Sequence, residues 1–224
     1  EFTANVSHEL KTPLTSISGY AELIETGIAK PEDTPGFARK IHVEASRMIQ
    51  LVNDILQLSH LDNVSETGAA PAMETVDLLD VARECVERQK VNARHSYISL
   101  TYLGESAPVT GSRVLLDELC QNLCDNAIRY NRPGGKVQII TACTRDGHCT
   151  LTVKDNGIGI PKEAQTSVFE RFYRVDKSRS KATGGTGLGL AIVKHIARIH
   201  NARIKLDSVV DEGTTITVIF ETAS

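Results

Sequence analysis

The sequence predicts an α+β protein in which a helical hairpin precedes a two-layer α/β sandwich domain. Three observations predict this class. Apolar residues recur at helical spacing twice within residues 1–66, and strand and helix patterns alternate within residues 76–224. A stretch of small and breaker residues separates the two parts.

The first two elements are predicted to be helices. One apolar stripe advances in steps of three or four residues through Val6, Leu10, Pro13, Ile17, Ala21 and Ile24. A second stripe repeats this spacing through Phe37, Ile41, Ala45, Met48, Val52 and Ile55. The segment 26–36 holds two glycines and two prolines, so the helices are expected to turn back on each other.

A single hairpin cannot cover both of these stripes from water. Two copies packed as a four-helix bundle can cover them, so we expect a homodimer. Packing of the hairpin on the second domain of the same chain is the alternative.

The two domains differ in charge. Residues 1–66 carry 5 basic and 10 acidic side chains, whereas the rest of the chain carries 20 and 18. Between them, "VSETGAAPAMET" (64–75) has no periodicity. We therefore place a first domain at 1–66, a linker at 67–75 and a second domain at 76–224.

The second domain alternates helices and strands. A short strand running into a helix is predicted over 75–94, a strand over 96–103 and a helix over 112–130. "KVQIITAC" and "CTLTVKD" form a hairpin across Asp146 and Gly147, and "RIKLDS" pairs with "TTITVIFE". A helix that opens on glycines lies between these pairs.

Charge and hydropathy argue against some classes of function. The net charge of −3 gives no global positive field, so no nucleic-acid partner is expected. No uncharged apolar run approaches the roughly 18 residues of a membrane span. Because the chain starts with Glu1 inside a predicted helix, we expect a piece of a longer protein whose sensor or membrane part lies upstream.

The cysteines are odd in number and form no CxxC pair. This pattern predicts buried free thiols in a reducing compartment rather than a disulfide framework. The five are Cys85, Cys120, Cys124, Cys143 and Cys149.

His8 is predicted to face solvent, because at 100° per residue it points away from the apolar stripe. Small or polar residues share its face, namely Thr12, Thr15 and Gly19. Glu9 can accept an imidazole proton, and Pro13 removes a helical hydrogen bond and should kink the helix. A lone exposed histidine is more often an ordinary surface residue.

Three stretches of the second domain suit a nucleotide. "NLCDNAIRY" places amides and a cation along one helix, at Asn122, Asn126, Arg129 and Tyr130. In "DNGIGIP" a strand ends in the carboxylate of Asp155, which can accept from an exocyclic amine, and the backbone can approach a ligand at Gly157 and Gly159. Capping amides and an ordinary turn are the alternatives.

The third stretch, "GGTGLGLAI", presents amides and a helix N-terminus to an anion at Gly185, Gly187 and Gly189. A basic lid precedes it, with Arg171, Arg174, Lys177, Arg179 and Lys181. A common glycine turn and a solvated basic loop are the alternatives.

Taken in order, these stretches resemble the bacterial sensor histidine kinases of two-component signalling, over almost the whole chain. "VSHELKTPLTSI" is similar to the H box, and "NLCDNAIRY", "DNGIGIP", "VFERFYR" and "GGTGLGLAI" are similar to the N, G1, F and G2 boxes. The resemblance implies a protein histidine kinase, a phosphotransferase whose HATPase-type domain has the Bergerat-type fold.

The resemblance also implies roles. His8 would be the phosphoacceptor, Glu9 would aid proton removal, and Thr12 would orient water for dephosphorylating the partner. Asn122 would hold Mg²⁺, and Asp155 would bind the adenine amino group of ATP. The other nucleotide contacts would be Asn126, Arg129, Tyr130, Gly157, Gly159, Gly185, Gly187 and Gly189, with Phe169 and Phe172 anchoring the lid.

The resemblance implies a receiver domain of a response regulator as partner, and the cytoplasmic portion of a membrane-anchored sensor as location. Gyrase and mismatch-repair ATPases share the ATP-binding fold but carry glutamate where this chain has Asn122. An amide cannot act as general base for water, which favours transfer to His8. A gyrase-class ATPase and a non-catalytic nucleotide-binding dimer scaffold are the alternatives. Asn131, where the family more often has Ser or Thr, should be a mild change.

Overall fold

A computed structural model of the chain describes residues 2–67, 71–176 and 185–221. The chain divides into two compact units, Glu1–Gln57 with Ser178–Thr186, and Leu58–Lys177 with Gly187–Ser224. Among the described helices, none combines the length and the apolar character that crossing a bilayer requires.

The first unit is a helical hairpin. Helix α1 spans Phe2–Glu25 and α2 spans Thr34–Thr67. The rings of Tyr20 and Phe37 stack at 5.4 Å near the turn, and Glu9 pairs with Arg47 at 3.7 Å farther along. The end of α1 thus contacts the start of α2, and the start of α1 contacts the middle of α2. This order requires antiparallel helices, so the predicted hairpin is confirmed.

Helix α2 continues through the division between the units. Its residues from Leu58 onward belong to the second unit. Leu58 and Leu61 are buried there, with 0% and 1% of their surfaces exposed. The last turns of α2 are therefore part of the core of the second unit.

The second unit is built on a five-stranded mixed sheet. Its strands, in spatial order, are β2 (Ser99–Gly104), β4 (Lys136–Cys143), β5 (His148–Asp155), β7 (Gly213–Glu221) and β6 (Arg203–Val209). Only the β2–β4 pairing is parallel. The predicted hairpins and the antiparallel-rich sheet are confirmed.

In the described part of the second unit, the helices that complete the two layers are α3 (Leu78–His95), α4 (Arg113–Arg129) and α5 (Gly189–Ile199). Helix α4 contacts both α3 and α5, and α3 and α4 also contact the strands. The helices bury one apolar stripe each, as Leu119 and Leu123 of α4 and Ile192 and Ile196 of α5 illustrate. The predicted two-layer class is thus confirmed.

A second, two-stranded sheet was not predicted. Strand β1 (Glu74–Asp77) pairs antiparallel with β3 (Pro108–Gly111). Asp77 closes this corner: its Oδ1 accepts from the amides of Leu79 and Ala107, and its Oδ2 accepts from Ser106 Oγ. The sequence analysis predicted the short strand that runs into α3 but did not predict its partner β3.

The expectation of five free thiols is wrong for two of them. Cys143 and Cys149 are disulfide-bonded across β4 and β5, with Cα atoms 4.1 Å apart. They are direct partners in the hairpin register, which a search for CxxC spacing cannot detect. Cys85, Cys120 and Cys124 are free and buried, as predicted.

Candidate phosphoacceptor and nucleotide sites

His8 lies on the exposed surface of α1, as the helical geometry predicted. Thr12 Oγ1 donates to the carbonyl of His8 at 3.2 Å. Farther along this face Thr15 is exposed, and a Cβ on Gly19 would meet nothing within 4 Å among the atoms described. The open face beside His8 is therefore confirmed.

Glu9 has a partner that the sequence did not reveal. Its carboxylate lies 3.7 Å from Arg47 of α2, and the two side chains are 27% and 12% exposed. The guanidinium of Arg47 therefore lies beside the carboxylate proposed to receive the imidazole proton. Helix α1 continues through Pro13, and the kink there stays a prediction.

Asp155 ends β5 and is mostly buried. Its Oδ1 accepts from the amides of Gly157 at 2.8 Å and Thr214 at 3.2 Å. Both hydrogen bonds go to Oδ1, so neither occupies Oδ2. Burial raises the pKa of Asp155 above its ordinary value, and these two hydrogen bonds oppose the rise.

The glycines after Asp155 are required by close backbone contacts. A Cβ on Gly157 would lie 2.4 Å from the carbonyl oxygen of Tyr130, and one on Gly159 would lie 2.1 Å from that of Val209. Gly159 also has φ +68°, in the left-handed region. The amide of Ile158 donates to Tyr130 O at 3.1 Å, so the end of α4 and the Asp155 turn are joined.

Asn131 closes the loop after α4. Its Oδ1 accepts from the amide of Arg132 at 2.8 Å, and its Nδ2 donates to the carbonyl of Lys136 at 3.1 Å. The amide can make both bonds at once because it holds a donor and an acceptor. The departure from Ser or Thr at this position thus serves the loop itself.

The two asparagines of α4 meet the first turn of α5. A Cβ on Gly189 would lie 3.0 Å from Asn122 Oδ1 and 3.5 Å from Asn126 Nδ2. Asn122 Nδ2 donates to the carbonyl of Glu118 at 3.0 Å, which directs its oxygen toward α5. Two stretches that lie far apart in sequence therefore share one side of the domain.

Gly187 connects α5 to the segment 169–173, which we call the aromatic segment because it contains Phe169 and Phe172. It has φ +75°, and its carbonyl accepts from the amide of Phe172 at 2.9 Å. Phe169 is partly buried, as is Phe172. Gly185 is buried and belongs to the first unit. In that unit the hydroxyl of the adjacent Thr186 donates to Asp54 Oδ2 at 2.6 Å.

The remaining predicted residues divide into two groups. Arg129 and Tyr130 are partly buried at the end of α4, and Arg171 and Arg174 are partly buried after Phe169. Lys177, Arg179 and Lys181 lie outside the described residues. The second unit thus brings together a buried carboxylate, a row of amides and a helix N-terminus, which suit a purine and its phosphates.

Comparison with known proteins agrees with this geometry. Residues 1–64 match the His Kinase A (phospho-acceptor) domain, and residues 111–224 match the histidine kinase-, DNA gyrase B-, and HSP90-like ATPase family. The chain is 44% identical to the sensor-like histidine kinase SenX3 of Mycolicibacterium smegmatis, over 97% of this chain and 56% of that protein. It therefore spans a little over half the length of that relative.

Two solved structures are also similar. The mycobacterial sensor histidine kinase MprB is 32% identical with a TM-score of 0.58, over 67% of this chain and 97% of that chain. Histidine kinase ThkA, solved in complex with the response regulator protein TrrA, is 23% identical with a TM-score of 0.76, over 100% of this chain and 61% of that chain. ThkA shares the fold. From its two matched domains, the chain belongs to the sensor histidine kinases.

Proposed function

We propose that this chain catalyses ATP-dependent autophosphorylation of His8 and then transfers the phosphoryl group to an aspartate of a response-regulator receiver domain. The observation that carries the proposal is the exposed imidazole of His8 in a region that matches a phospho-acceptor domain. The nucleotide-type site of the second unit supports it, since it supplies a place for the donor.

The second unit binds ATP through groups that are already in position. Asp155 accepts from the exocyclic amine of adenine, for which its Oδ2 is suited, and Gly157 and Gly159 let the base approach the backbone. Arg129 and Tyr130 line the nucleotide beside Asn126, while Gly187 and the first turn of α5 at Gly189 face the phosphates. The phosphate contact of Gly185, which belongs to the first unit, stays a prediction.

Asn122 is the residue proposed to hold Mg²⁺. Its oxygen is directed toward the start of α5, and an amide oxygen is a ligand that this ion accepts. When bound, the ion neutralises charge on the phosphates. As an amide, Asn122 cannot deprotonate water, which favours transfer to protein over hydrolysis.

In the chemical step, a neutral imidazole nitrogen of His8 forms a bond to the γ-phosphorus as the bond from that phosphorus to the β–γ bridging oxygen breaks. ADP leaves, and the imidazolium proton passes to Glu9 or water. The guanidinium of Arg47 lies 3.7 Å from the Glu9 carboxylate. The phosphoryl group then moves to the aspartate of the regulator. In the phosphatase reaction, Thr12 orients the water that hydrolyses this aspartyl phosphate to aspartate and inorganic phosphate.

We further propose a homodimer, formed when two copies of residues 1–66 pack as a four-helix bundle. Helix α2 exposes Val43, Ile49 and Leu56, which one hairpin leaves uncovered. The division into 1–66, a linker at 67–75 and 76–224, the cytoplasmic location and the membrane-anchored sensor part stay predictions.

The test is labelling with γ-³²P ATP. We expect the wild type to take up acid-labile, alkali-stable label and His8→Gln to take up none, because glutamine has no ring nitrogen to attack phosphorus. His42→Gln is the matched control, since His42 is an exposed histidine of the same hairpin. Label on the His8→Gln variant would refute the assigned nucleophile.

The same reaction separates the alternatives. A gyrase-class ATPase would release phosphate steadily without labelling the protein. A non-catalytic dimer scaffold would bind the nucleotide and do neither. Label that moves from this chain to an added receiver domain is the result expected of the proposed function.

A further inference from the structure

Three ionisable side chains of the second unit form a cluster outside the proposed chemistry. Asp62 lies near the end of α2, Arg171 follows Phe169, and His195 lies in α5. One terminal nitrogen of Arg171 donates to both carboxylate oxygens of Asp62, at 2.7 and 2.9 Å. The same nitrogen lies 3.1 Å from His195 Nε2. We call these three residues the Asp62 cluster.

The contact with Arg171 defines the protonation of His195. A guanidinium can only donate, so Nε2 must accept, and the imidazole is neutral with its proton on Nδ1. Nδ1 is buried and makes no hydrogen bond within the described part of the chain, and Asp62 Oδ1 lies 3.5 Å from it. The cluster therefore holds three groups in one arrangement of charges and protons.

The surroundings of His195 favour the neutral ring. Burial is the main cause that lowers the pKa of His195. Asp62 opposes this shift, while the charges of Arg171, Arg198 and Lys194 add to it. A protonated His195 would place two cations side by side and remove the acceptor for Arg171, so acid should open the cluster.

The cluster is partly shielded from water. The side chains of Asp62, Arg171 and His195 are 34%, 31% and 18% exposed. Leu58 and Leu61, in the same turns of α2 as Asp62, are buried. An ion pair set beside buried leucines and bonded through both carboxylate oxygens holds its geometry better than an exposed pair.

Two of the joined elements border the nucleotide site. The residue after Arg171 is Phe172, whose amide donates to the carbonyl of Gly187 at 2.9 Å. His195 belongs to the helix that opens at Gly189, beside Asn122. A shift of Asp62 would therefore move both the aromatic segment and α5.

We propose that Asp62 is a positioning residue of the nucleotide site: through Arg171 and His195 it fixes the aromatic segment and α5 to the end of α2, so that the site is assembled only while the end of α2 is in place. The proposal rests on the proposed nucleotide binding. It assigns to the last turns of α2 a direct effect on nucleotide affinity.

The test is calorimetric titration of this chain with a non-hydrolysable ATP analogue and Mg²⁺. We expect Asp62→Asn to weaken binding about three- to tenfold, as the loss of a charged hydrogen-bonded pair implies, and Asp62→Glu to restore part of the affinity. Asp80→Asn is the matched control, because Asp80 pairs with Arg83 on the exposed surface of α3 at 2.6 Å. It should bind the analogue like the wild type.

Measuring the affinity for the analogue at several pH values adds a test that a general loss of stability would not affect. In His195→Gln the side-chain oxygen accepts from Arg171 at every pH. The affinities are measured from about pH 8 to about pH 5. Because the pKa of His195 is lowered, the wild type should lose affinity relative to His195→Gln only below the ordinary histidine pKa of about 6.5. Protonation of the analogue cancels in the ratio of the two affinities.

The outcomes distinguish this proposal from the proposed function. If Asp62→Asn binds the analogue as tightly as the wild type, even with a lowered melting temperature, Asp62 does not position the site and the proposed function stands. An affinity ratio that stays constant with pH would likewise overturn the proposal. If the wild type itself binds no analogue, the proposed function fails, and this inference fails with it.

Discussion

Asp155 combines two effects that oppose each other in the folded protein. Its Oδ1 accepts two backbone amides, from Gly157 and Thr214, which stabilise the turn. Its burial raises the pKa, so the ionised carboxylate is less favourable in the folded than in the unfolded chain. This cost is present at neutral pH, because stability is lost as the pH rises from the ordinary aspartate pKa through the raised folded pKa.

Asp155→Asn should therefore have different effects on ATP affinity and on the stability of the fold. We expect ATP affinity to fall about ten- to a hundredfold, which corresponds to about 1.5 to 3 kcal/mol for a charged hydrogen bond. The nucleotide-free variant should melt no lower than the wild type, since the asparagine oxygen can accept both amides without a buried charge. Titration calorimetry and thermal unfolding measure the two effects.

Asp146→Asn is the control for this substitution, because Asp146 lies at the exposed hairpin tip at the other end of β5. It should leave both quantities unchanged. Unchanged ATP affinity in Asp155→Asn would count against the assignment of the adenine contact.

His200 is held in one neutral tautomer. Its Nε2 accepts from the amide of Ser112 at 3.0 Å, and its Nδ1 lies 2.8 Å from the carbonyl of Ile196 and donates to it. Burial is the main cause that lowers the pKa of His200. This side chain thus joins the start of α4 to the end of α5.

Acid should destabilise the protein through His200. Between the lowered folded pKa and the ordinary value of about 6.5, the unfolded chain binds more protons, so stability falls as the pH drops below about 6.5. Urea unfolding at several pH values should show a smaller loss of stability on acidification for His200→Gln than for the wild type. An identical pH dependence in the two proteins would contradict this role.

At the scale of elements, the exposed face of α1 is the surface that a regulator would approach. His8 and Thr15 lie on it, and Gly19 leaves open space about three turns from His8. A glycine inside a helix costs about 1 kcal/mol relative to alanine. Its presence on this face is consistent with a need for clearance.

Gly19→Arg should block this approach without disturbing the nucleotide site. We expect transfer of label from His8 to a receiver domain to slow by at least about tenfold, because a small misplacement of reacting atoms is costly. Autophosphorylation should persist. Gly36→Arg is the control, since Gly36 of α2 also has nothing within 4 Å of its Cβ position. Equal transfer rates for the two variants would contradict docking on this face.

For the molecule as a whole, the helical hairpin exposes several large apolar side chains. Leu14, Val43, Ile49 and Leu56 are 52%, 58%, 64% and 63% exposed. The stripes that the sequence revealed are mostly half-buried within the hairpin. Ile49 and Leu56, seven residues apart, share one exposed face of α2, which a second copy would cover.

Charges on this surface should dissociate the dimer. We expect the double substitution Ile49→Glu and Leu56→Glu to raise the dimer dissociation constant by at least about a hundredfold, because a buried charge without a partner costs several kcal/mol. Sedimentation velocity over a range of concentrations measures it. Val114→Glu, at a position of α4 that is 74% exposed, should leave the dimer intact. A double variant that stays dimeric would refute this interface.

Elements with strong local signals could be predicted from the sequence alone. The stripes from Val6 and from Phe37 predicted α1 and α2, and the Asp146–Gly147 signal predicted the β4–β5 hairpin. The exposure of His8 followed from helical periodicity alone. These features depend on residues that are close in sequence, so their physical causes are readable along the chain.

The contacts between distant segments became visible only in the folded chain. No local pattern predicts Arg47 beside Glu9, Thr214 on Asp155, or Cys143 against Cys149. Nor does any local pattern indicate that Asp62 of α2 would bond to Arg171. Strand register and helix packing set these pairs, and they depend on how surfaces from the whole chain fit together rather than on any local period.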